Sequence, residues 1–95
     1  MKVVVAYDIG SNRAREAFAA HLQRLGLTRV QRSVFVGRAD PQLVKEVVRA
    51  AGAYVGGGDV VHVIPVDESY WRRVRVVGTP YYARRSLGVG ALVQA

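Results

Sequence analysis

Cysteine is absent from this 95-residue chain. That excludes disulfides and every zinc site built on thiolates. Histidine is scarce: His21 and His62 are too few to build an imidazole metal site within one chain. No stretch approaches the roughly 20 apolar residues that a helical membrane span needs. The opening Met1-Lys2-Val3-Val4-Val5 reads as a strand without a small-residue cleavage site, so no secretory signal is expected and a cytoplasmic location is. Familiar enzyme signatures are missing too. Gly56-Gly57-Gly58 is not followed by the Lys-Ser/Thr of a phosphate loop and reads as a flexible connection. There is no nucleophile elbow, no HExxH pattern and no aromatic RNA-recognition strand.

Acidic residues are also few, and this shortage is the most informative one. Seven Asp and Glu stand against 14 Lys and Arg, for a net charge of +7 and a pI near 10.6. Two of the 14 are lysines, Lys2 and Lys45, which leaves 12 arginines. Such an excess on a small domain is the electrostatic footprint of a protein that meets a polyanion. The planar guanidinium fork suits phosphate oxygens in particular. An Arg-rich surface also arises from GC-rich coding or from thermophily, so charge alone does not decide. Hydrophobic residues at 51% are enough for one domain to fold without staples, and the length leaves no room for a second core.

The order of elements follows from periodicity. Lys2 to Tyr7 is a continuous Val-rich run, expected as a central strand buried on both faces. Ser11 or Asn12 caps a helix whose apolar face carries Ala14, Phe18, Leu22 and Leu25, and Gly26 sits where a left-handed C-terminal residue belongs. Thr28 to Arg38 is extended but long, with a polar middle at Gln31-Arg32-Ser33. It reads as one strand or as two joined by a tight turn. Asp40-Pro41 starts a second helix with Val44, Val47, Val48 and Ala51 inward, ending before the triple glycine. Asp59 to Val66 is a further strand, and Asp67 to Arg72 a turn or short helix. Val74, Val76 and Val77 predict a short strand ending at Gly78, and Ala91-Leu92-Val93 a possible edge strand. The sum is an α+β, ferredoxin-like βαββαβ antiparallel sheet with two helices on one face, plus an extra C-terminal strand. Residues 1–78 form the domain and 79–95 a tail available for an edge strand or a dimer contact. The open sheet face of so small a chain predicts a homodimer.

Asp8 is the first candidate for chemistry. A carboxylate where a strand leaves the sheet can hold a hard cation such as Mg²⁺. It can equally cap the next loop or pair with Arg13 or Arg15. One carboxylate is a sparse site for two-metal phosphodiester chemistry, but a symmetric dimer brings two together. Arg13 and Arg15 lie in the first turn of helix 1, where backbone amides favour phosphate, or they form a solvated face. Arg29 and Arg32 flank Gln31 in the long strand and bind nucleic acid or protect an edge. Trp71, Arg72 and Arg73, with Tyr70 and Arg75, form a basic-aromatic cluster; Tyr81 and Tyr82 with Arg84 and Arg85 form another. Such mixtures suit nucleic acid or a protein interface. The two histidines are expected to be packed.

Taken in order, Val3-Val4-Val5-Ala6-Tyr7-Asp8-Ile9, Arg13-Ala14-Arg15, Arg29 to Gly37 with its Gln31-Arg32-Ser33-Val34-Phe35 core, Asp59 to Val66 and Val74 to Gly78 resemble the CRISPR-associated Cas two family over roughly residues 1–78. The resemblance implies a ferredoxin-like homodimer and places Asp8 at the metal-binding, catalytic carboxylate of a Mg²⁺-dependent endonuclease. It also implies a partner, the Cas one integrase, for which the small dimer bridges duplex DNA during spacer acquisition. Single-stranded RNA is a further substrate class. The chain departs from the pattern at Gly10-Ser11-Asn12, where many relatives carry another acidic residue. A toxin-like endoribonuclease acting alone on the same fold is the competing reading.

Overall fold

In the computed structural model, which describes residues 1–82, β1 (Lys2–Asp8) leads into α1 (Asn12–Arg24), β2 (Thr28–Gln31), β3 (Val34–Arg38), α2 (Pro41–Tyr54), β4 (Val60–Val66) and a short α3 (Glu68–Trp71). The first six elements are the expected βαββαβ. The strands form one sheet in the order β2-β3-β1-β4, antiparallel throughout. Val5 of β1 lies between Phe35 and Val63, which sets the register on both sides.

The local signals act as read. The Ser11 hydroxyl accepts from the Ala14 N–H, and the Asp40 carboxylate accepts from the Leu43 N–H at 2.8 Å, each satisfying an amide that its helix leaves open. Gly26 takes φ 92°, a conformation costly for a residue with a Cβ. The long extended segment is two strands, split at Arg32-Ser33, with a register shift between Arg29 and Gln31. Gly37 faces Val3 at the point where Leu27 presses on the sheet, so closely that a Cβ would overlap the leucine side chain.

Both long helices lie on one face. Val3, Val5, Tyr7 and Phe35 of the sheet pack with Phe18 and Leu22 of α1 and Val47 of α2. His21 Nδ1 meets the Tyr54 hydroxyl at 3.0 Å, joining α1 to α2 as a packed histidine. Four expectations change. β1 is buried on alternate positions only, because no helix of the described residues covers the face carrying Val4 and Ala6. Val48 is exposed, and Ala50 takes its inward place on α2. His62 is exposed on the open face, opposite Ala6. Val74 to Val77 form no strand: no edge of the described residues pairs with them, and Val77 is 88% exposed. The edge strand proposed at Ala91-Leu92-Val93 lies outside the described residues.

Candidate functional site

Asp8 is the last residue of β1, opposite Val60, with its side chain exposed. Among the described residues its carboxylate makes no hydrogen bond or ion pair. Neither Arg13 nor Arg15, the neighbours that could have paired with it, does so. Arg15 donates to the Ile9 carbonyl at 2.8 Å and to Asn12 Oδ1, so it clamps the β1–α1 loop. Arg13 is exposed on the first turn of α1, outside the cleft that holds Asp8. The loop is capped instead by Asp59, which sequence reasoning passed over. Its two oxygens accept from Gly10 N–H at 3.0 Å and Gly56 N–H at 2.9 Å.

These two amide bonds favour the charged carboxylate, so the Asp59 pKa lies below the usual aspartate value. The sign follows directly. A depressed folded pKa means that the stabilisation is complete above the unfolded value and is lost as pH falls through the folded one. Asp59→Asn should therefore flatten the acid limb of a plot of melting temperature against pH and leave the neutral region sloped as before. An unchanged acid limb would show that the loop does not depend on this charge.

The turn between β2 and β3 is brought to Asp8 by a hydrogen bond from Tyr7 N–H to the Ser33 carbonyl, 3.0 Å. The result is a cleft of about 550 Å³ lined by Asp8, Arg15, Glu16, Arg29, Arg32 and Tyr81. Three of the four predicted nucleic-acid arginines thus converge on the predicted carboxylate. Arg32 is exposed there. Arg29 is not: its side chain is 14% exposed, it sits 4.0 Å from Glu16, and its guanidinium lies 5.1 Å from the ring centres of both Phe35 and Tyr81. Burial works against its charge, but contacts with Tyr81 and Tyr7 outweigh that and raise its pKa. Burial also raises the Tyr7 pKa, with Arg29 opposing.

No group of three or more His, Cys, Asp or Glu side chains gathers anywhere among the described residues. Protein-only coordination of a cation is therefore out of reach within this part of one chain. Mg²⁺ is commonly held by one or two carboxylates, with water and substrate phosphate completing its shell. The unspent Asp8 carboxylate fits that single anchoring role.

The second basic group lies at the other end of β1. Lys2 Nζ stands 5.9 Å from the Trp71 ring, which is half-buried, and Arg73 lies 5.3 Å from the exposed Tyr70 ring. Arg72, Arg73 and Arg75 are exposed. From Lys2 to Asp8 the strand runs about 20 Å at about 3.3 Å per residue. Tyr82 is exposed, and Arg84 and Arg85 lie outside the described residues. Among the described residues no helix is long and apolar enough to cross a membrane.

Comparison with known proteins gives a consistent picture. The family described as CRISPR associated protein Cas2 matches residues 1–74. The CRISPR-associated endoribonuclease Cas2 2 of Pyrobaculum aerophilum is 38% identical over 88 residues, covering 92% of this chain and 97% of the relative. A CRISPR-associated endonuclease Cas1/endonuclease Cas2 fusion of Thermoproteus tenax is 44% identical over 69 residues, 72% of this chain and 26% of the fusion. Among solved structures, a hypothetical protein from Thermus thermophilus superposes with a TM-score of 0.72 at 32% identity, covering 83% of this chain and 92% of that one.

Proposed function

This chain belongs to the CRISPR-associated Cas2 family, and from that premise we propose that it is a basic homodimer that grips duplex DNA and bridges the Cas1 integrase during spacer acquisition. The observation that carries the reading is the placement of exposed arginines at both ends of β1, Arg32 beside Asp8 and Arg72, Arg73 and Arg75 near Lys2. The separation of about 20 Å corresponds to roughly six base-pair steps of 3.4 Å, so both groups can follow one duplex backbone. The sheet face between them is open and apolar. Ile64 is 46% and Val60 43% exposed, and Val4 lies between Val36 and Ile64 in one row. A second copy covering that face would bury it and double the basic surface. The fusion found in T. tenax, which joins Cas1 and Cas2 in one chain, supports Cas1 as the partner.

Salt dependence tests this reading. The affinity for duplex DNA should fall steeply with added salt, with a log–log slope of about −0.9 for each phosphate neutralised. Binding that scarcely responds to salt would remove the arginines from the contact and the reading with them.

A second activity is supported by the unspent Asp8 carboxylate: Mg²⁺-dependent phosphodiester hydrolysis. Asp8 would hold the ion, and Arg32 would seat the phosphate at the mouth of the cleft. The ion, when bound, supplies charge neutralisation at the phosphate and activation of water. The P. aerophilum relative carries the name endoribonuclease, which favours RNA as one substrate of that activity.

A further inference from the structure

Arg29 has weaker partners than its position would allow. Its hydrogen bond to the Tyr81 hydroxyl is long, at 3.3 Å, and its ion pair with the exposed Glu16 stands at 4.0 Å. Its Nε is buried without a well-formed hydrogen bond, and the Tyr7 hydroxyl that interacts with this guanidinium lacks one too. A guanidinium offers five N–H donors in a fork that matches phosphate oxygens. Leaving such donors unfilled in a buried place costs free energy. The residues that sandwich this guanidinium differ in kind. Phe35 is fully buried in the sheet and is fixed by the core. Tyr81 arrives on the segment that follows α3, beyond the exposed Val77 and beyond Gly78, which takes a φ of 97° open to glycine.

We infer that Tyr81 is an internal stand-in on Arg29: its hydroxyl occupies an N–H of the guanidinium that a backbone phosphate oxygen would take, its ring covers the group, and nucleic acid enters the Asp8 cleft only as Tyr81 withdraws. The inference rests on the reading that this cleft binds nucleic acid, and it adds how access is controlled. Phe35 and Glu16 keep the guanidinium oriented when Tyr81 leaves, and Arg32 lines the same cleft. A docked Tyr81 lowers the apparent affinity by the fraction of molecules in which it is withdrawn.

The experiment is an anisotropy titration of a labelled short duplex DNA with the full chain at fixed salt. Tyr81→Ala should bind roughly five- to ten-fold more tightly than wild type, as expected when a competent fraction of a tenth to a fifth becomes the whole. Tyr81→Phe, which keeps the ring and loses the hydroxyl, should fall between them. In an Arg29→Gln background Tyr81→Ala should change nothing, because no guanidinium remains to be covered. Weaker binding by Tyr81→Ala would make the ring a base-stacking contact and overturn the inference, as would unchanged affinity. Arg32→Ala separates the two levels. If it weakens salt-dependent binding while Tyr81→Ala is silent, the stand-in alone is wrong. If wild type shows no salt-dependent binding, the cleft reading falls and takes this inference with it.

Discussion

Phe18→Ala should lower the stability of the domain by about 3–5 kcal/mol, the range for removing a buried aromatic side chain. Phe18 is fully buried and joins three elements. Its ring meets the edge of Tyr7 on β1 at 5.1 Å and tilts against Tyr54 on α2 at 5.5 Å. Truncation removes apolar contact from both and leaves a cavity that the sheet and two capped helices cannot readily close. Domains of this size hold about 5–15 kcal/mol in total, so the loss takes a large share. A melting temperature lower by roughly 12–40 °C is the expected readout, at about 4–8 °C per kcal/mol. Phe18→Leu, which fills most of the volume, should cost much less. A shift of only a few degrees for the alanine variant would mean that α1 is not held by this ring.

Asp8→Asn carries the other large effect, on activity and not on stability. The side chain is exposed and makes no bond within the described residues, so the melting temperature should stay where it was. Metal-dependent cleavage should fall by at least about 100-fold. Losing a group that merely supports a ligand already costs about 10–100-fold, and Asp8 would be the ligand itself. The assay compares both proteins on duplex DNA and single-stranded RNA, with Mg²⁺ and with chelator. Equal cutting by wild type and variant would place the activity elsewhere. No cutting by either, with duplex binding retained by both, would leave the chemistry to the partner integrase and the protein as a scaffold.

The elements were legible because their signals are short in range. A valine run, a serine or Asp-Pro cap and a glycine at a helix end act within a few residues, and the structure uses each at its expected place. The strand read at Val74 to Val77 shows the limit of such signals. Alternating valines fit a pleat, but a strand needs a partner edge, and no described edge pairs with these residues. Val48 shows it again: helical spacing marks a broad apolar stripe, and only the angle of α2 on the sheet decides that Ala50, not Val48, lies inward.

The candidate site divides in the same way. Asp8 at a strand end and the arginine excess were both determined by the amino-acid sequence, since composition and position along one strand suffice for them. Which arginines meet Asp8 was not. Arg29 and Arg32 follow it by more than twenty residues, and they reach it only through the β1–β3 register and the Tyr7–Ser33 hydrogen bond. The separation of Arg15 from Arg13, the Asp59 cap across 49 residues and the cover of Tyr81 across 52 were likewise decided by tertiary structure. The physical reason is common to all of them. Local propensity depends on near neighbours, whereas a side chain's hydrogen-bond partners and exposure depend on which distant segments the core brings alongside.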